Sequence, residues 1–207
     1  MVIYQAKRAL HQKRVSGGHA GMLSGQLRNS VSTFTGWLFH LQHQSNAASQ
    51  SAGKVGEHLV KNAKLEYPKP HCAPSEWEAL FIDDLSGKQP GEEISSLTLN
   101  GSPMMGKPDY VFLNRQERIA VVVEIKTSNA NLEPDGWPNL RAQLWAYAQL
   151  DIIVKTADRV ILIGEIWGTT AEAGVTLHRT YRWDFPNKLF NSANRQLFDL
   201  YKEYASY

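Results

Sequence analysis

The apolar run Ile119-Ala120-Val121-Val122-Val123 stops abruptly at Glu124, and Lys126 follows after a single apolar residue. An unbroken, mostly β-branched run of this kind describes a strand buried on both faces. Burying unpaired charge is costly, so such a strand ending in an acid and a base must meet partners for them. Upstream, Pro108-Asp109 opens a second run, Tyr110-Val111-Phe112-Leu113, and the polar stretch from Asn114 to Arg118 between the two runs predicts a hairpin. If Arg115 to Arg118 form the loop, Asn114 pairs with Ile119, Val111 with Val122, and Asp109 lies opposite Glu124. Alternation along the strand puts Lys126 on the face of Glu124 and turns Ile125 to the other. A slip of one residue would separate the two carboxylates, so the arrangement depends on the turn.

Two carboxylates and an ammonium on one face suit metal-assisted cleavage of a phosphodiester. The acids hold a divalent cation, and the lysine steadies the attacking water or the charge that develops. Taken singly the pieces are ordinary. A Glu-x-Lys pair on an exposed strand contributes under about 1 kcal/mol, and Pro-Asp is a common turn dipeptide. Their convergence on a buried strand is what points to a nuclease.

The segments Lys107-Pro108-Asp109-Tyr110-Val111 and Glu124-Ile125-Lys126-Thr127-Ser128 resemble the signature of the PD-(D/E)xK nuclease superfamily. The resemblance spans roughly residues 50 to 185. It implies a restriction-endonuclease-like α/β fold, a central mixed β-sheet with an antiparallel hairpin flanked by helices. It also implies that Asp109, Glu124 and the backbone carbonyl of Ile125 bind Mg²⁺ or Mn²⁺, and that Lys126 positions water or stabilises the transition state. The expected element order agrees: a helix from Ala52 to Leu65, a strand from Ser96 to Asn100, the hairpin, a helix from Asn139 to Asp151, and strands over Arg159–Trp167 and Val175–Trp183. A final amphipathic helix from Asn187 to Tyr204 is expected to dock on the sheet through Phe190, Ala193, Leu197, Leu200, Tyr201 and Tyr204.

On the helix after the Glu-x-Lys strand, Leu140, Leu144, Tyr147 and Ala148 form the buried stripe with Gln143 at its edge, so Gln143 and Tyr147 face the sheet together. A Gln-x-x-x-Tyr helix in this position resembles the RecB-type branch, whose members are mostly exonucleases or helicase-linked nucleases. There the pair is implied to contact nucleic acid or orient the site. The family also takes an acidic ligand from its first helix. Glu57 is the candidate, beside an apolar stripe of Ala52, Val55, Gly56, Leu59 and Ala63, and no acid occurs before it. His58 is the rival, since some RecB-type members use histidine at this step.

At 207 residues and 43% hydrophobic, the chain can bury one substantial core. Residues 1–56 carry Lys7, Arg8, Lys13, Arg14, Arg28 and Lys54 and no acid, so they hold +6 while the rest holds −4. Lys7, Arg8, Lys13 and Arg14 form the expected electrostatic footprint on a DNA substrate. Residues 1–50 are read as a basic N-terminal helical extension and 51–207 as the nuclease core with its docking helix. Ser32-Thr33 is expected to cap a helix bearing Phe34, Trp37, Leu38 and Leu41 on one face. The extension also has the composition of a transit segment, which makes an organellar matrix the alternative to a cytoplasmic bacterial or phage setting.

Cys72 alone excludes an internal disulfide and a cysteine-based zinc or iron–sulfur site, so the four-cysteine cluster of several RecB-type nucleases is missing. His40 and His43 lack a third ligand. No apolar run is long enough to span a membrane, and no phosphate loop of a motor is present, so a helicase or recombination partner would be a separate chain. An oligomer is possible. The expected activity is thus a DNA exonuclease. The alternatives are a site- or structure-specific endonuclease, and an inactive nucleic-acid-binding module of the same fold.

Overall fold

A computed structural model describes residues 29–42, 55–62, 77–83, 90–128, 132, 134–170 and 174–206. Lys7, Arg8, Lys13, Arg14, His43, Ala52, Ala63 and Cys72 lie outside the described residues, as does the side chain of His40. The elements, in chain order, are helix α1 (Val31–Gln42), a helix α2 over 55–62, strands β1 (Glu78–Ile82), β2 (Glu92–Leu99), β3 (Ser102–Gly106), β4 (Tyr110–Asn114) and β5 (Ile119–Thr127). Helices α3 (Pro138–Tyr147) and α4 (Asp151–Thr156), strands β6 (Arg159–Thr170) and β7 (Gly174–Pro186), and helices α5 (Asn187–Ala193) and α6 (Arg195–Ala205) follow.

Five strands form one mixed sheet in the order β1-β4-β5-β6-β7, with only the β5–β6 pair parallel. The hairpin takes the expected register, Asn114 opposite Ile119 and Val111 opposite Val122. Its loop is held by the Glu117 amide donating to Asn114 Oδ1 at 2.9 Å, and Arg118 adopts a left-handed φ of 55°. Strand β5 is buried from Ala120 to Ile125, as its composition requires. A parallel neighbour needs a crossover, and α3 and α4 supply it.

Apolar side chains separate onto the two faces of the sheet. Tyr110, Phe112, Val121, Val123, Ile125, Ile161 and Ile163 join Val60 of α2 on one face. Val111, Leu113, Val122, Val160 and Leu162 join α1, α3 and α6 on the other. Helix α3 is buried almost all round because it lies between the sheet and an outer layer. In that layer Phe34 meets Trp145 with ring centroids at 6.3 Å, Tyr201 at 5.5 Å and Tyr204 at 5.4 Å. The described part of the expected extension therefore packs into the same core.

Several elements differ from expectation. The cap of α1 is Ser30, whose Oγ accepts from the Thr33 amide at 3.2 Å; Ser30 is extended in a bridge with Met105, so the helix starts there instead of at Ser32-Thr33. The strand expected over Ser96–Asn100 leaves the main sheet and pairs with β3 through Asn100-Gly101, both at positive φ. Helix α3 ends at Tyr147 because Leu150 turns extended and buries its side chain before α4 begins. The C-terminal helix is broken at Asn194, whose side-chain amide donates to the Phe190 carbonyl at 2.9 Å and competes with the helix backbone.

The expected stripe on α2 is also corrected. Val55 is 60% exposed and Leu59 52% exposed, whereas Gly56, Val60 and Lys61 are buried. A Cβ on Gly56 would stand 2.7 Å from Thr127 Oγ1, so glycine lets α2 press against the end of β5. That approach turns Glu57 and Lys61, four apart on one face, toward the strand end.

Candidate metal and phosphodiester site

Asp109 sits immediately before β4, one step beyond the Tyr110–Val123 pair, so the ladder delivers it beside Glu124. Its Oδ2 accepts from the Ile125 amide at 2.6 Å, and its Oδ1 pairs with Lys61 Nζ. Lys61 also donates to Asp83 Oδ2 at 2.7 Å, and Lys107 pairs with Asp83 Oδ1 at 2.9 Å. Asp83 immediately follows the edge strand β1, and its amide donates to the Asp109 carbonyl at 2.9 Å. This gives one half of the site, in which two acids and two lysines alternate. Burial works against the charge of Lys61, but Asp109 and then Asp83 outweigh it and raise its pKa.

The other half centres on Glu124, 2% exposed. Its Oε1 accepts from Gln143 Nε2 at 2.6 Å and from Lys126 Nζ at 2.8 Å, while Lys126 reaches Glu57 Oε1 at 3.3 Å. Gln143 further donates to the Tyr147 hydroxyl at 3.2 Å, and that hydroxyl donates to the Lys107 carbonyl at 2.9 Å. Glu124 Oε2 is buried with no hydrogen-bond partner. Burial first, and then the charge of Asp109, raise the Glu124 carboxyl above the ordinary glutamate range. The Lys126 ammonium is held charged by Glu124, Glu57 and Asp109 against the cost of burial.

All of Glu57, Asp109, Glu124, Ile125, Lys126, Gln143 and Tyr147 therefore meet at one end of β5, drawn from two strands and two helices. Glu57 points into the cluster, and His58 is exposed. Lys61, Asp83 and Lys107 were not singled out from the sequence. Lys61 carried a readable signal, since it stands four residues after Glu57 on the same helix; Asp83 carried none, because nothing local marks the strand that places it.

Among the described residues no three histidine, cysteine or carboxylate side chains are close enough to hold a metal ion as they stand. The donor chemistry nonetheless fits a hard divalent cation: carboxylate oxygens, a backbone carbonyl at Ile125 and the orphaned Glu124 Oε2 are the donors that Mg²⁺ and Mn²⁺ prefer. Lysine ammoniums balance the acids, Lys61 on Asp109 and Lys126 on Glu124. No helix among the described residues is long and apolar enough to cross a membrane. In comparisons with known proteins, the chain matches no family model, no curated protein and no solved structure.

Proposed function

We propose that the chain is a metal-dependent nuclease of the PD-(D/E)xK type, with a restriction-endonuclease-like core, that hydrolyses phosphodiester bonds in DNA. The observation that carries the reading is Glu124 Oε2, a buried carboxylate oxygen without a partner, beside a second carboxylate and backed by a lysine and a glutamine. Leaving such an oxygen uncompensated is costly, and a cation repays the cost.

Glu124, Asp109 and the Ile125 carbonyl would hold Mg²⁺ or Mn²⁺, with Glu57 at the rim. The ion supplies Lewis acidity toward a phosphate oxygen and a water of lowered pKa. Lys126 keeps its proton and stabilises negative charge on the phosphate as it builds. Gln143 fixes the rotamer of Glu124 by its 2.6 Å hydrogen bond, and Tyr147 fixes Gln143 against the Lys107 carbonyl. Lys61 holds Asp109 in place and neutralises the half of the site that faces Asp83.

Gln143 on the Glu124 carboxylate, with the Tyr147 hydroxyl behind it, favours the RecB-type exonuclease over the endonuclease alternative. The test is cleavage with Mg²⁺ of a linear duplex, a linear single strand and a closed circle. Degradation of linear DNA with the circle spared supports an exonuclease, cutting of the circle supports the endonuclease, and no cleavage of any substrate with Mg²⁺ or Mn²⁺ removes the reading.

A further inference from the structure

A cleft of about 530 Å³ opens on the same face of the sheet as Glu124, between the start of α3, strand β7 and the α5–α6 junction. The volume falls within the range of about 300–1,000 Å³ usual for small-molecule sites. Register places it: Glu124 pairs with Gly164 and Gly164 with Tyr181, so the cleft begins two strands from Glu124, about 10 Å at the usual spacing. None of the carboxylates of the candidate site lines it.

Its polar groups are unfinished in a complementary way. Arg141 is half-buried, and its Nε is buried with no hydrogen-bond partner among the described residues. Asp135, exposed at the rim, attracts it only through space. Burial lowers the Arg141 pKa, and the charge of Asp135 opposes that only in part. Asn194 is 1% exposed, and with its amide nitrogen committed to the Phe190 carbonyl, its Oδ1 is left without a donor. One wall therefore wants an anion that accepts hydrogen bonds, and another wants a donor. The N-terminus of α3 lies beside Arg141, with no side chain capping it at Trp137, and adds partial positive charge.

The remaining wall is aromatic. Tyr181 and Trp183 stack with centroids 5.9 Å apart and planes 12° from parallel, and Arg141 lies 5.4 Å over the Trp183 ring. Trp137 closes the same cleft. Tyr181 is itself buried and backs Trp183, so the half-buried Trp183 is the ring a planar base can reach, whereas a simple inorganic anion would leave that ring and Asn194 unused.

We infer that this cleft binds one nucleotide unit, its phosphate on Arg141 and the α3 N-terminus and its base against Trp183, with a donor of the base or sugar on Asn194 Oδ1. Calling the ligand nucleic acid rests on the nuclease reading. The cleft then holds a unit of the strand beside the scissile bond, about two strand spacings from the carboxylates.

The experiment is calorimetric titration of deoxyadenosine monophosphate, inorganic phosphate and deoxyadenosine into Glu124→Gln, which cannot cleave, in EDTA. Arg141→Gln and Trp183→Leu are then added to that background. Deoxyadenosine monophosphate is expected to bind more tightly than either fragment. Arg141→Gln should weaken it by about tenfold to a hundredfold, and Trp183→Leu by at least about fivefold. If Arg141→Gln fails to fold, Trp183→Leu and the two fragments still decide. Absence of saturable binding, indifference to both substitutions, or phosphate alone binding as well as the nucleotide overturns the inference. A parent protein that cleaves DNA but fails these titrations loses the cleft and keeps the nuclease reading; one that passes them but cleaves nothing loses the nuclease reading alone.

Discussion

Asp109 and Glu124 are neighbouring carboxylates with opposite surroundings. Asp109 has both oxygens engaged, one by Lys61 and one by the Ile125 amide, inside a network that continues to Asp83 and Lys107. Glu124 has one oxygen engaged twice, by Lys126 and Gln143, and the other not at all. The Asp109 half is balanced charge, so it contributes to holding β1, β4 and α2 together as well as to any chemistry. The Glu124 half is under-compensated, so on the proposed function it is where a cation or a proton would enter. Two carboxylates side by side at the ends of adjacent strands can thus differ in how far their charge is already balanced, and the surrounding donors decide the difference.

Substitutions that remove each acid test that contrast with the largest effects. Glu124→Ala and Asp109→Ala are both expected to reduce Mg²⁺-dependent cleavage to background. They should part company in thermal melts. Asp109→Asn strips Lys61 and the Ile125 amide of their charged acceptor and should melt lower. Glu124→Gln removes a buried, partly unsatisfied charge and should melt at least as high as the parent in EDTA. Equal destabilisation by both would erase the distinction.

The two lysines sharpen it further. Lys126→Ala should lower the cleavage rate by roughly 10²-fold or more with little loss of DNA binding, the scale of one preorganised electrostatic donor. Lys61→Met is expected to act mainly on stability, by about 3–5 kcal/mol, because Asp109 and Asp83 are both left buried beside one another. Chemical denaturation of the two variants checks the assignment, and a Lys126→Ala loss seen only in binding would make Lys126 a phosphate holder.

Smaller effects are expected from the helix that supports Glu124. Gln143→Ala should slow cleavage by roughly tenfold to a hundredfold, in line with outer partners of metal ligands. Tyr147→Phe should slow it less and cost about 1 kcal/mol of stability, because the ring stays packed and only the hydroxyl bonds are lost. Full activity in Gln143→Ala would return weight to the endonuclease alternative.

What was legible in the sequence follows the same physics. The β4–β5 register was readable because a buried strand has period two and the turn admits few loop lengths, and this alone brings Asp109, Glu124 and Lys126 together. The shared face of Gln143 and Tyr147 was readable from their four-residue spacing, but the one-sided stripe was not borne out, because α3 is buried almost all round. The rotation of α2 was not, because apolar periodicity favoured Val55 and Leu59, whereas a close approach at Gly56 and the charges of Glu57 and Lys61 determine the face. The β2–β3 hairpin carries a local signal, since Asn100-Gly101 is a strong two-residue turn. Asp83 reaches the site only through the pairing of β1 with β4, a long-range contact that no local pattern carries.

The mildest test uses pH to separate the two halves without changing a residue. Burial and the charge of Asp109 raise the Glu124 carboxyl above its ordinary value of 4.5, so the folded protein retains a proton that the unfolded chain releases. Between the ordinary and the raised value, stability from this group falls as pH rises. Asp83 has the opposite sign. Burial alone would raise its carboxyl, but Lys61 and Lys107 outweigh that and lower it, so its contribution is present above the unfolded value and is lost as pH falls through the folded one. A divalent cation bound by Glu124 competes with its proton, so the rise in melting temperature on adding Mg²⁺ should grow as pH moves from about 5 to about 9. Glu124→Gln should abolish that growth and leave the acid-side loss from Asp83 in place. A Mg²⁺ increment that is flat with pH in the parent, or unchanged in Glu124→Gln, would mean that the cation enters elsewhere than the under-compensated half.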